Sequence, residues 1–184
     1  ALPALLRDSL SIPVVGAPLF IVSNPNLVIE QCKAGVVGSF PALNARPKEM
    51  LEEWLQRITT ELRDYKAKNP DKKVAPFAVN QIVHSSNDRL QHDIDMCEKY
   101  RVPIQITSLR APDEVVPSAH RYGGLVFHDV TNVKHAKRAL QAGGKTEVLF
   151  GRNEGANQHF HRWVEQLVAA ETLQDTYALL RTAQ

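Results

Sequence analysis

An α/β fold built on a parallel sheet is what this 184-residue chain predicts. Three observations carry the prediction. Short apolar runs alternate with longer amphipathic ones. Glycine, proline and asparagine punctuate the joins between them. The run-plus-helix unit recurs about every 25 to 35 residues, the spacing of βα units whose strands lie parallel and are joined by right-handed crossovers.

Residues 12–18 read as the first strand, because a nearly continuous apolar run fits a strand covered on both faces. Ser23-Asn-Pro opens a helix: Asn24 can cap and Pro25 suits the first turn. Leu27, Val28, Cys32 and Ala34 form its apolar stripe, and Gly35 ends it. Residues 36–40 read as the second strand. Arg46-Pro47 starts a long helix, in which Met50, Leu51, Trp54, Leu55, Ile58 and Leu62 keep a 3.6-residue period. The polar stretch 66–73 is a solvated connection.

Residues 75–83 read as the third strand, with Asn80 and Gln81 near its end. Ser86-Asn-Asp caps a helix carrying Leu90, Ile94 and Cys97. Residues 102–107 read as the fourth strand, 113–122 as a short helix stopped by Gly123-Gly124, and 125–128 as the fifth strand. Thr131-Asn-Val begins a basic helix ending at Ala142-Gly143-Gly144. Beyond it the pattern loosens. Residues 146–150 could be a sixth strand, 151–158 read as a loop, and 161–181 as one or two helices. No linker divides the chain, so residues 1–184 are expected to form a single domain, with 144–184 a divergent and mostly helical segment.

Lys+Arg 22 against Asp+Glu 20 leaves a net charge of +2, too weak a bias to argue for nucleic acid or a membrane surface. No apolar run approaches the roughly 20 residues of a membrane span. The first residues lack the basic-then-apolar pattern of a signal peptide. Cys32 and Cys97 lie on different helices without metal-ligand spacing, so no metal site is expected. The simplest reading is a reduced, cytoplasmic protein.

In parallel α/β sheets and barrels, ligands bind at the C-terminal ends of the strands. Residues 16–20, 39–44, 80–87, 107–111 and 128–131 compete for that rim. Gly16-Ala17-Pro18-Leu19 is notable because its small residues let backbone approach a flat ligand. Read alone, it is more often an ordinary strand-end turn.

The wider segment changes that balance. Pro13-Val-Val-Gly-Ala-Pro-Leu, continued by Cys32-Lys-Ala-Gly-Val-Val-Gly-Ser-Phe-Pro-Ala-Leu-Asn44, resembles the opening of the nitronate monooxygenases (formerly 2-nitropropane dioxygenases). The resemblance covers about residues 10–143 and then departs. It implies a (β/α)8 TIM-barrel-type fold, a bound FMN, and oxidation of alkyl nitronates with O₂. A chain of 184 residues is short for that fold, which typically needs about 250, so five or six βα units of an incomplete barrel are expected.

The resemblance also implies site residues. Ala17-Pro18-Leu19 matches the turn that lines the flavin ring, with Leu for the family's usual Met. Asn80, in Phe77-Ala-Val-Asn, matches a flavin-contacting residue. Thr107 and His128, in Ile106-Thr-Ser-Leu and Val126-Phe-His-Asp, match strand ends that face the cofactor. Some members carry a supporting Lys where this chain has Asp129. The family's catalytic His sits in a Gly-Gly-His turn after strand six. Its nearest equivalent here is His159, in Glu154-Gly-Ala-Asn-Gln-His without the paired glycines. A general base working near neutral pH suits imidazole. The Gly-rich phosphate grip after strands seven and eight has no visible counterpart.

Other residues have plainer readings. His84 belongs to a loop or a cap, His92, His120 and His135 to helix surfaces, and Lys134, Lys137 and Arg138 to a solvated basic face. Three accounts of the break stay open: a divergent relative, a second copy or partner chain supplying the missing strands, and a residue string that omits part of a longer parent. The expected partners are a small nitronate substrate and O₂, with a homo-oligomer possible. The alternatives are another FMN-barrel chemistry, such as enoyl reduction, and a non-catalytic barrel remnant acting as a subunit or binding module.

Overall fold

The computed structural model describes residues 3–130, residue 138 and the strand at 147–150. Its described elements in chain order are α1 (Ala4–Arg7), α2 (Pro25–Lys33), β1 (Gly38–Pro41), a 3-10 turn (Ala42–Asn44), α3 (Met50–Lys68), β2 (Phe77–Val83), α4 (Leu90–Lys99), β3 (Ile104–Leu109), α5 (Val115–Arg121), β4 (Leu125–Val130) and β5 (Glu147–Phe150). The expected sixth strand is thus present as β5. The expected helix and loop between residues 131 and 146, apart from Arg138, and everything after residue 150 lie outside the described residues.

The five strands form one sheet in the order β1-β2-β3-β4-β5, and every neighbouring pair is parallel. The order never reverses, as it must in a doubly wound sheet. Helices α2 and α3, α3 and α4, and α4 and α5 pack side by side in the same sequence. A sheet that steps one way with its helices ranked along it is the wall of a (β/α)8-type barrel.

The local signals explain the helix ends. Asn24 caps α2, its Oδ1 accepting from the backbone N–H of Asn26 (2.9 Å) and Leu27 (3.3 Å). Gly35 ends the helix at φ +80° and Gly123 follows α5 at φ +81°, left-handed conformations that cost glycine little. Gly38 faces the Val28 backbone so closely that a β-carbon would collide with it, which lets β1 lie against α2.

The expected first strand is reduced. Residues 12–18 run alongside β1 but form a single parallel bridge, Val15 to Val37. Gly16 N–H donates to Val37 O (2.8 Å) and Val37 N–H to Val14 O (3.2 Å). Prolines at 13 and 18 carry no N–H, so a longer ladder cannot form there. The helix expected from Arg46 starts later, at Met50.

Alternation along the strands gives the sheet two faces. On the outer face Phe40, Phe77 and Val79 pack with Val28, Ile29 and Cys32 of α2 and with Leu51, Leu55, Ile58 and Leu62 of α3. On the inner face Val37, Ala78, Ile104, Ile106 and Phe127 pack with Leu6 and Leu10 from the N-terminal segment. The core is therefore split by the sheet, and α1 plugs the inner half from the end where the strands begin. Both cysteines are buried and free. Burial pushes the Cys32 thiol up to about 12 and raises that of Cys97.

Candidate active site at the strand ends

Following the inner face toward the C-terminal ends of the strands, the apolar floor gives way to polar residues. Ser39 lies two positions beyond Val37, Asn80 beyond Ala78, Ser108 beyond Ile106 and Asp129 beyond Phe127. The register sets Pro41 beside Asn80, Asn80 beside Ile106 and Ile106 beside Phe127, so by alternation Ser39, Asn80, Ser108 and Asp129 share the inner face, with Ser39 one layer deeper than Asn80. Asn80 is the best anchored. It is 5% exposed, and its Nδ2 donates to Ile106 O (3.2 Å) and Ser108 Oγ (3.0 Å). The Ser39 hydroxyl donates to Gly16 O, tying β1 to the turn that carries Ala17, Pro18 and Leu19. Asp129 is exposed, yet partial desolvation by the neighbouring strand ends pushes its carboxyl above its ordinary value, opposed by a hydrogen bond with Ser108 and by His128.

Ala17 and Leu19 are exposed and Pro18 is half-buried. They lead into an apolar loop held at the mouth. Leu19, Phe20, Ile21 and Val22 are 47%, 57%, 78% and 57% exposed. Four consecutive large apolar side chains facing solvent are unusual for a loop. Ile21 has φ +66° and Leu109, at the end of β3, has φ +80°. A β-branched or bulky residue in this region is a marked outlier, and such strain costs about 1–3 kcal/mol. Two of the three described non-glycine residues with positive φ thus stand at this mouth; the third, Arg101, precedes β3 at its other end. The Arg46 guanidinium lies 5.2 Å from the centre of the Phe20 ring, within cation–π range.

Thr107 and His128 stand on the opposite face from Asn80. They are adjacent in register, both buried, and Thr107 Oγ1 lies 2.9 Å from His128 Nδ1. Their face is the one on which Gln105 Nε2 donates to the Tyr122 hydroxyl (3.0 Å) and Gln81 Nε2 donates to Cys97 Sγ (3.2 Å), at the layer of α4 and α5. The site residues expected from the sequence therefore divide into two groups. Ala17, Pro18, Leu19 and Asn80 gather at the mouth, while Thr107 and His128 form a pair behind it. His159 lies outside the described residues. His84 is exposed; its Nδ1 accepts from the backbone N–H of Ser86 (3.2 Å), which gives it the loop role its sequence position implied.

Sequence reasoning placed residues 39–44 among the rim segments and noted Asp129 where some members carry a Lys, but assigned no site role to Ser39, Asn44, Ser108 or Asp129. A usable signal was present for the strand residues. Once Asn80 is placed inward, two-residue alternation with the β2–β3–β4 register selects Ser108 and Asp129 at the strand ends rather than Thr107 and His128. Asn44 offered no such signal, since its role depends on a loop approached from 21 to 25 residues away.

No family model and no curated protein sequence matches this chain. Solved structures do resemble it. A nitroalkane oxidase from Streptomyces ansochromogenes superposes with a TM-score of 0.62 at 20% identity, covering 79% of this chain and 47% of the oxidase. FabK from Thermotoga maritima superposes with a TM-score of 0.62 at 19% identity, covering 78% of this chain and 41% of FabK. The chain has the fold of the corresponding part of these enzymes. It spans less than half the length of each. Among the described residues, no helix is long and apolar enough to cross a membrane.

Proposed function

We propose that this chain carries the flavin-ring portion of an FMN-dependent oxidoreductase of the nitronate monooxygenase kind, acting on alkyl nitronates with O₂. The observation that carries the reading is the placement of Asn80. A buried amide, fixed by β3, stands at the mouth over an apolar floor and on the same side of the sheet as the Ser39-tied Gly16–Leu19 turn. An isoalloxazine ring asks for this combination, with apolar surface for its faces and amide or backbone groups for its polar edge. The resemblance of residues 13–46 to that family and the nitroalkane oxidase among the structural neighbours support the same reading.

The residues present fit the ring. Gly16, Ala17 and Pro18 would bring backbone to one edge, and Asn80 and Ser108 would supply polar contacts. Val37, Ile106 and Phe127 would exclude water from below. Thr107 and His128 would support β3 and β4 from behind. Bound FMN would supply the electron-accepting chemistry. A base for the carbon beside the nitro group is proposed at His159, and Asp129 stands on the same face at the mouth, beside Ser108. Enoyl reduction on the same scaffold draws equal support from the neighbours, which superpose equally well.

The visible spectrum of the purified protein, before and after adding FMN, tests the reading. A yellow protein that oxidises propyl nitronate without consuming NADH is the expected result. NADH-dependent turnover of an enoyl thioester would move the assignment to the reductase. A colourless protein that takes up no FMN would overturn both and leave the barrel remnant acting as a subunit or binding module.

A further inference from the structure

The apolar loop at the mouth is held by one side chain that the proposed chemistry has not used. Asn44 closes the 3-10 turn after β1. Its Oδ1 accepts from the Ile21 N–H (3.1 Å), and its Nδ2 donates to Leu19 O (3.0 Å) and Ser23 O (2.8 Å). Ser23 adds to the clamp: its Oγ accepts from the Leu19 N–H (2.9 Å) and its own N–H donates to Leu19 O (3.0 Å). The residue gripped between these bonds is Ile21, the one at φ +66°. An isoleucine left to itself would leave that conformation, so the strain persists because the surroundings over-determine it.

The turn carrying Asn44 is itself secured. Arg89 donates from Nη1 to Ala45 O (2.7 Å) and from Nη2 to Ala42 O (3.3 Å), bracketing Asn44 on both sides. The guanidinium is oriented by Asp93, with Nε to Oδ2 at 2.9 Å and Nη2 to Oδ1 at 2.9 Å. Asp93 is fully buried, and His92 Nδ1 lies 3.0 Å from its Oδ1. A continuous set of hydrogen bonds thus runs from α4 through the turn after β1 to the backbone directly following Ala17-Pro18.

We propose that Asn44 is a positioning residue for the flavin ring. It holds residues 19–23 in their strained shape, and through them the Ala17-Pro18-Leu19 turn, while Arg89 and Asp93 hold Asn44. This inference rests on the FMN reading above. A site must be held within a fraction of an ångström by neighbours whose own conformations are locked, and here the lock lies on the next βα unit rather than in the turn itself.

The test uses the full chain with added FMN and reads two quantities, amide hydrogen exchange and FMN affinity. In Asn44→Ala, exchange at the Ile21 amide should rise by at least about tenfold, as for a locally opened segment, while the amides of β2–β4 stay protected. FMN affinity should fall on the order of tenfold, the scale of losing positioned hydrogen bonds. Asn44→Asp keeps the acceptor for the Ile21 N–H but sets a carboxylate oxygen against the Leu19 and Ser23 carbonyls, so its loss should be at least as large. Ser23→Ala, which removes only the acceptor for the Leu19 N–H, should lose less and decides the matter if the Asn44 variants fail to fold. Unchanged Ile21 exchange, or raised exchange with wild-type FMN affinity, would overturn the proposal and leave the FMN reading standing. A wild-type protein that binds no FMN would overturn the reading and the positioning role together, a result distinct from either variant outcome.

Discussion

The two faces of this sheet are built to different ends. On the outer face, buried polar groups mostly meet one another: Gln81 with Cys97 and Gln105, Gln105 with Tyr122, Thr107 with His128. The inner face is apolar at the floor and polar at the mouth, and next to that mouth stand exposed apolar side chains on backbone held at unfavourable angles. Interior polar groups that are satisfied stabilise a fold, whereas exposed apolar groups and strain cost it free energy. The outer face has its own cost, since Gln81 Oε1 is buried without a hydrogen-bond partner among the described residues. The strained backbone at Ile21 and Leu109 and the run of exposed apolar side chains from Leu19 to Val22, however, stand together at the mouth, which is why the ligand site is proposed there. The inference runs from the observed outliers to the site.

The sharpest way to break this comparison is to remove material from the floor. Phe127→Ala deletes a fully buried ring and should cost about 3–5 kcal/mol, read by denaturant unfolding. FMN uptake should fall with it, because the cavity opens beneath the mouth. Phe40→Ala on the outer face should cost a similar amount, about 3–5 kcal/mol, with FMN affinity unchanged under conditions where the variant is folded. Equal effects of the two on FMN affinity would erase the distinction between the faces.

Two polar substitutions sharpen it further. Asn80→Ala should lower FMN affinity about tenfold while costing about 1 kcal/mol of stability, measured by flavin titration and thermal melting. Thr107→Val removes the partner of His128 Nδ1 and should cost a comparable amount, about 1 kcal/mol, but leave the flavin titration alone. A Thr107 variant that loses FMN as Asn80→Ala does would put Thr107 in the site after all.

The smallest effect belongs to the surface. Hydrogen bonds from Arg121, and then Ser118, hold the Glu98 carboxyl down to about 2, pinning α4 to α5. Because the folded value lies below the ordinary one of 4.5, this contribution is fully present above the ordinary value and is lost as pH falls toward the folded one. A carboxyl titration by NMR should show Glu98 ionising below the ordinary carboxylate range, and Arg121→Ala should raise it part of the way back, the Ser118 hydrogen bond remaining. With both partners at the surface, the accompanying change in melting temperature should be slight.

Much of this protein was determined by local pattern alone. The alternation of apolar runs with helical stripes foretold a parallel α/β sheet, because burial on both faces and a 3.6-residue period leave separate marks on a sequence. Asn24, Pro25, Gly35 and Gly123 set helix ends by chemistry that acts within a few residues. Tertiary structure decided the rest. Residues 12–18 are apolar enough for a strand, yet two prolines and the length of the neighbouring edge reduce them to one bridge. Which of Thr107 or Ser108, and which of His128 or Asp129, faces the mouth depends on register, and register exists only when strands meet. Asn44 could be placed at the rim from the sequence, but its clamp could not, because its partners lie 21 to 25 residues away. Its role follows from hydrogen bonds that only the folded chain brings within reach.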